Sequence, residues 1–256
     1  MAMNNDMYRW ADYYDLTQRG VAGDVPFYLE MAQQANGEIL DLACGTGRIT
    51  IPVAEAGLTV TGLDLSSDML KRAEEKAREQ GVADRITFVQ GDMRSFDLGK
   101  TFSLIMIPFR SFLHLLHIHE QMKALTCIRN HLAPGGKLVM NVFVPKISHL
   151  YEESEKMSLR GTFRLDTGEE VAMWDYTRYD HFQQLCEVTR TYERVSPEGV
   201  VQEKVVGRFT LRYIFPAELH HLLRLNGFKV VQRYGSFAKT PFDSASTELI
   251  IVAEAL

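Results

Sequence analysis

Apolar and polar positions divide the chain into stretches with different periods. Over the first 35 residues, Trp10, Tyr13, Tyr14 and Leu16, then Phe27, Leu29 and Met31, recur at helical spacing, which predicts a helical leading segment. From Glu38 onward, short apolar runs alternate with longer amphipathic ones. EILDLACGTGR predicts a buried strand ending in a glycine turn, and ITIPVAEAG a helix closed by Gly57. LTVTGLDLS predicts a second strand, followed by a helix, SSDMLKRAEEKAREQG, that Ser66 or Ser67 would cap and Gly81 would close. DRITFVQGDM and TFSLIMIPF predict a third and a fourth strand. A helix over HIHEQMKALTCIRNHL precedes APGG, and KLVMNVFVP predicts a fifth strand.

Alternation of strand and helix predicts an α/β fold, a mostly parallel sheet with helices on both faces. After Pro145 the alternation stops. Residues from about 160 to 215 hold the β-rich runs EEVAMWDYTRYD, QLCEVTRTYERV and KVVGRFTLRYIF, with DTG, SPEG and VVG as hairpin turns, which predicts an antiparallel insertion after the fifth strand. Pro216 opens another helix, PAELHHLLRLNG, and GFKVVQRYG and STELIIVAEA supply two closing strands, for seven in the main sheet. The organisation expected is a helical cap over 1–35, a core over 36–145 and 216–256, and an insertion over 146–215 that roofs an acceptor site or meets a second copy in a homodimer.

Composition narrows the class. At 256 residues, 46% hydrophobic and 24% charged, the chain has the balance of a soluble globular protein able to bury a full core. Its net charge of -5 and pI of about 5.9 disfavour a nucleic-acid partner, whose phosphates call for a basic face. Cys44, Cys127 and Cys186 lie far apart with no paired spacing, as expected of reduced thiols. The N-terminus lacks an apolar signal core and no apolar run approaches the roughly 20 residues of a membrane helix. A cytoplasmic location is expected.

The chemistry concentrates in Asp41-Leu-Ala-Cys-Gly45-Thr-Gly47-Arg48. Glycines after a strand let backbone approach a ligand. A dinucleotide loop needs a third glycine, and Thr50 stands there instead. Asp41, ahead of the glycines, would repel a pyrophosphate and suits an α-amino group. Asp64, 23 residues later, ends the next strand, where a carboxylate accepts ribose hydroxyls.

The ordered segments ILDLACGTGR, GLDLSSDML, QGDMRSF and LAPGGKLVMNVF, over roughly residues 38–143, resemble the motifs of class I S-adenosylmethionine-dependent methyltransferases. The resemblance implies a Rossmann-like, seven-stranded sheet and S-adenosylmethionine as cofactor. It places Asp41, Ala43 and Gly45, with Gly47, at the methionine end. It puts Asp64 at the ribose, Leu65 and Met69 beside the adenine, Asp92 at the adenine amino group and Met93 near the ring, with Ile107 at the end of the fourth strand completing the set. Singly, Asp64 reads equally as a strand-end cap and Asp92 as a turn former; together and in order, the binding readings win. Cys44 reads as a small loop residue, with no base beside it to make it a nucleophile.

Methyl transfer asks the protein for orientation, desolvation and sometimes a base. Arg110, Ser111 and His114 follow the fourth strand, at the strand end where open α/β sheets bind ligands. An Asn/Asp-Pro-Pro-aromatic motif of exocyclic base methylation is absent there. His114-Leu115 and the β insertion are similar to sugar N-methyltransferases and to glycine N-methyltransferase-like enzymes, which implies that His114 and Tyr14 face the acceptor, with Arg110 beside them. His114 reads either as a base or as a partner of a backbone group at a helix start. His114, His117 and His119 lack an acidic partner at ligand spacing, so no metal is expected. The acceptor expected is a small molecule with an N or O nucleophile; RNA or protein methylation, and a non-catalytic scaffold on the same fold, are the alternatives.

Overall fold

The computed structural model describes residues 6–152 and 155–256, so the first five residues of the leading cap, and 153–154 within the insertion, lie outside the described residues. The chain folds as two compact units, one of residues 20–144 with 214–256 and one of residues 1–19 with 145–213.

The first unit is built on a seven-stranded sheet. Its strands are β1 (Ile39–Leu42), β2 (Val60–Asp64), β3 (Ile86–Gln90), β4 (Phe102–Ile107), β5 (Leu132–Phe143), and, late in the chain, β10 (Phe228–Tyr234) and β11 (Glu248–Ala255), in the order β10-β11-β5-β4-β1-β2-β3. The β1–β2, β2–β3, β1–β4 and β4–β5 pairs are parallel, and β11 pairs antiparallel with both β5 and β10. All four residues of β1 are buried, as a parallel strand covered on both faces requires. The helices are α2 (Asp24–Gln33), α3 (Thr50–Glu55), α4 (Ser67–Glu79), α5 (Ile118–Asn130) and α7 (Pro216–Leu225). Ser66, rather than Ser67, caps α4, its Oγ accepting from the Met69 N–H at 3.3 Å. Phe27, Tyr28, Met31 and Phe237 pack with Leu104, Met106, Val139 and Ile250 in one apolar cluster. This is the Rossmann-like arrangement the alternation predicts. Strand order reverses between β1 and β4, and a crevice opens at such a switch point, outside the carboxyl ends of the strands.

The second unit is a four-stranded antiparallel sheet of β6 (Lys156–Arg164), β7 (Glu170–Asp180), β8 (Leu185–Val195) and β9 (Val201–Arg212). With it fold a 3₁₀ turn at Asp6–Arg9, helix α1 (Ala11–Thr17) and helix α6 (Ile147–Glu152). Alternate side chains give the sheet one packed face: Met7, Cys186, Val188 and Phe209 in one cluster, Val171, Met173, Tyr192 and Val205 in another. Tyr13 stacks on Tyr192 at 5.1 Å between ring centroids.

Two details differ from expectation. VVG is not a turn: Val205–Gly207 lies inside β9, and the β7–β8 turn falls at His181–Gln184. Gly207 is needed because a Cβ there would sit 2.6 Å from the Met7 Cα, a close approach that local sequence cannot distinguish from a turn. The leading segment is also divided, α1 folding with the antiparallel sheet and α2 with the parallel one. No helix among the described residues is long and apolar enough to cross a membrane.

Candidate functional site

The glycine turn after β1 is assembled from backbone strain and buried carboxylates. Asp41 is 1% exposed. Its Oδ2 accepts from the Thr50 hydroxyl at 2.6 Å, while its Oδ1 is buried with no hydrogen-bond partner. Burial pushes the Asp41 carboxyl up to about 6, against the opposing pull of Thr50 and Arg48. Ala43 has φ of 61°, a left-handed value that costs an L-residue with a Cβ. Gly45 (φ 56°) has open space where a Cβ would point, whereas at Gly47 a Cβ would press on Ile51 at 3.0 Å.

Asp64, at the end of β2, is tied to this turn. Its Oδ2 accepts from the Gly45 N–H and its Oδ1 from the Ser66 N–H, each at 2.8 Å. Burial raises its carboxyl above the ordinary range, opposed by those backbone donors. Leu65 beside it is 58% exposed, an apolar side chain left open at the strand end. The Cys44 thiol is buried and pushed well above its usual value, and it lies 3.0 Å from where a Gly62 Cβ would stand. It packs the turn against β2, as expected of a residue that is no nucleophile.

After β3, Asp92 forms a tight pair with Arg94. Oδ1 accepts from the Arg94 N–H and Nε, both at 2.9 Å, and Oδ2 from Nε at 3.0 Å and Nη2 at 2.5 Å. Arg94 also pairs with Glu120. The pair holds the Asp92 carboxyl below its usual range. Both oxygens of the carboxylate expected at the adenine amino group are therefore engaged by a neighbour two residues on. That pairing depends on how the chain turns and has no sequence period. Met93, between the two, is half-buried.

After β4 the backbone turns sharply. Phe109 (φ 53°) and Arg110 (φ 66°) are consecutive left-handed non-glycine residues, followed by a 3₁₀ turn at Ser111–His114. His114 is half-buried at the end of that turn, while His117 caps α5, so the two do not share a helix face. The Arg110 guanidinium pairs with buried Glu248, and Arg48 lies over the Phe109 ring at 5.0 Å while pairing with buried Asp24 at 2.9 Å. The structure thus gives the Arg110 charge to a carboxylate of its own chain, a long-range partner that local reading cannot find.

Asp41, Ala43, Gly45, Gly47 and Asp64 come together in one turn, with Leu65 at its rim. Met69 and Ile107 are 1% and 0% exposed, so their side chains belong to the core. Tyr14 lies in the antiparallel unit, where it packs with Tyr8, Met7 and Phe209. Thr50, Arg94, Glu120 and Glu248 were not signalled by the sequence; for Thr50 the one cue was a hydroxyl at a helix start nine residues after Asp41. A groove of about 800 Å³ opens elsewhere, lined by Phe96, Lys123, Cys127 and His131, and none of Asp41, Gly45, Asp64 or His114 borders it.

An unsatisfied buried carboxylate oxygen, a turn left open at Gly45 and an exposed leucine fit a ligand with a cationic amine, a ribose and an apolar ring, which are the parts of S-adenosylmethionine. Comparison with known proteins agrees. Residues 39–136 match the family described as a methyltransferase domain. The chain is 30% identical over 175 residues to a putative methyltransferase of Bacillus subtilis (strain 168), YqeM, covering 62% of this chain and 70% of that one. It is 33% identical over 137 residues to dTDP-3-amino-3,4,6-trideoxy-alpha-D-glucopyranose N,N-dimethyltransferase of Streptomyces venezuelae, covering 51% of this chain and 55% of that one. Among solved structures, the CcbJ methyltransferase from Streptomyces caelestis superposes with a TM-score of 0.81 at 27% identity, covering 96% of this chain and 95% of that one. The chain belongs to the class I S-adenosylmethionine-dependent methyltransferases. It is an enzyme, and S-adenosylmethionine is its cofactor.

Proposed function

We propose that the enzyme methylates the nitrogen of a small-molecule amine. Asp41 Oδ1 would accept from the cofactor's α-amino group, Gly45 and Gly47 would admit its methionine end, and Asp64 would hold the ribose. Leu65, Asp92 and Met93 would hold the adenine. When bound, the cofactor supplies a methyl carbon on a sulfonium; the acceptor nitrogen's lone pair forms the new C–N bond, the C–S pair stays on sulfur, and the nitrogen's proton leaves to a base or to water. His114 is the candidate to receive that proton, and Arg110 acts through position rather than by touching substrate.

One observation carries the choice of an amine. The three arginines that flank these strand ends, Arg48, Arg94 and Arg110, are each paired with a carboxylate: Asp24, Asp92 with Glu120, and Glu248. Asp41 and Asp64 have no such cation of their own among the described residues, so the uncompensated charge at the carboxyl end of the sheet is negative. Such a field favours a cationic sulfonium and an amine over a phosphate or a carboxylate. The likeness to an amino-sugar N,N-dimethyltransferase supports the same reading.

The test is a turnover screen with S-adenosylmethionine, scoring both release of S-adenosylhomocysteine and methylated product. It compares amino sugars linked to dTDP, the same sugars with hydroxyl in place of amine, and a short RNA. Turnover of amines alone is expected. Methylation of the hydroxyl analogues, or of the RNA, in preference to the amines would overturn the proposal.

A further inference from the structure

We propose that Glu248 is a positioning residue for methyl transfer: through Arg110 it holds the strained turn after β4, and with it the place of His114. The proposal rests on the reading above only in taking that turn as the acceptor side of the site.

Glu248 is 3% exposed, and unlike Asp41 it has both carboxylate oxygens satisfied. Its Oε1 accepts from Arg110 Nε at 3.1 Å and from Nη2. Its Oε2 accepts from the Asn141 amide at 2.8 Å, and the Asn141 carbonyl oxygen accepts from the Tyr28 hydroxyl at 3.0 Å. Asn141 and Tyr28 are wholly buried, and burial pushes the Tyr28 phenol well above its usual value, which keeps it a neutral donor. A chain of bonds thus runs from α2, through β5 and the first residue of β11, to the turn after β4. Glu248 pairs with Phe143 in the sheet, so the chain ends at the carboxyl edge of β5.

Two consecutive non-glycine residues with φ of 53° and 66° relax unless something holds them. Arg110 is held at both ends. Its side chain is clamped by Glu248 and lies 5.6 Å from the Phe143 ring centroid, and its carbonyl accepts from the Leu113 N–H at 2.9 Å to start the 3₁₀ turn that ends in His114. The same clamp neutralises the arginine, so no anion is recruited to the acceptor side. An apolar side chain at position 248 would fill the space as well; only a carboxylate fixes where Arg110 goes.

The test compares wild type with Glu248→Gln, which keeps the shape, and Arg110→Lys, which keeps the charge but loses the fork. Four readouts are taken: affinity for S-adenosylhomocysteine, Tm, amide hydrogen exchange of residues 108–115, and kcat for the acceptor found by the amine screen. For Glu248→Gln the expected result is affinity within about twofold, exchange of 108–115 faster by about tenfold or more, and kcat lower by a similar factor with KM for cofactor unchanged. Arg110→Lys is expected to fall between the two. Unchanged exchange, or a loss of cofactor affinity and Tm in step with kcat, would overturn the proposal. If no amine proves to be a substrate, exchange in the S-adenosylhomocysteine complex still decides it, so the two readings fail separately.

Discussion

Asp41 and Asp175 are both buried aspartates, one in each unit, at 1% and 5% exposure, and they are put to opposite uses. In the antiparallel unit, Asp175 takes Arg190 Nε on one oxygen at 2.7 Å and Nη2 on the other at 2.8 Å, with Arg160 at 3.3 Å as a second cation. In the parallel unit, Asp41 has a hydroxyl on one oxygen and nothing on the other. The paired carboxylate braces a sheet face. The unpaired one makes the free protein carry a desolvated charge that a cationic ligand would relieve. The contrast shows that burial of a carboxylate does not mark a site; what marks it is burial without a partner.

The largest effect that separates the two is on stability. Asp175→Ala strands Arg190, which is 8% exposed, and should cost about 3–5 kcal/mol in urea unfolding. A loss below about 1 kcal/mol would mean that the pair is no brace. Asp41→Asn removes a charge that folding disfavours, so no comparable loss is expected.

A pH series sharpens the comparison. The Asp41 carboxyl is raised to about 6 in the fold, so between roughly pH 4 and pH 6 the folded state binds the proton that the unfolded chain has already released. The Asp41 contribution to stability of the free protein therefore falls as pH rises through that window, by about 2–3 kcal/mol at full effect, and should be lost in Asp41→Asn, which keeps only the slope that Asp64 and the other carboxylates supply. Affinity for S-adenosylhomocysteine moves the other way, tightening up to about pH 6 and then levelling, because its amine needs the ionised carboxylate. Equal slopes in wild type and Asp41→Asn would remove Asp41 as their source.

The smallest effect concerns strain. Ala43 holds φ of 61° inside the turn, so Ala43→Gly should raise stability by about 0.5–1 kcal/mol, read as a higher Tm, with cofactor affinity unchanged within about twofold. A lower Tm would show that the Ala43 methyl packs usefully and that the strain is not there.

What the sequence disclosed follows the same division between local and distant partners. The parallel sheet and its turn were legible because strand, glycine and helix period sit next to one another: Asp41, Gly45 and Gly47 fall within seven residues. Gly81 and Pro216 punctuate their helices as read. The parts missed depend on distant partners. β6 has weak alternation because Gly161 interrupts it beside a register shift. Gly207 looked like a turn because its cause, Met7, is 200 residues away. Arg110 looked like a group for substrate because Glu248, which takes its charge, follows 138 residues later. Buried ion pairs carry no period, so sequence pattern finds Asp41, Asp64 and Arg110 and not the Glu248 that takes up the arginine's charge.

The central claim is that the unpaired oxygen of Asp41 receives the cofactor's amine. Calorimetric titration of wild type and Asp41→Asn with S-adenosylhomocysteine at neutral pH tests it most directly, with Tm of each protein as the control for folding. The account predicts saturable binding by wild type and a loss of about 1.5–3 kcal/mol, roughly tenfold to a hundredfold, in an Asp41→Asn protein at least as stable as its parent. Equal affinity in the two proteins would contradict it, and the buried oxygen at the heart of the turn would then have no part in holding the cofactor.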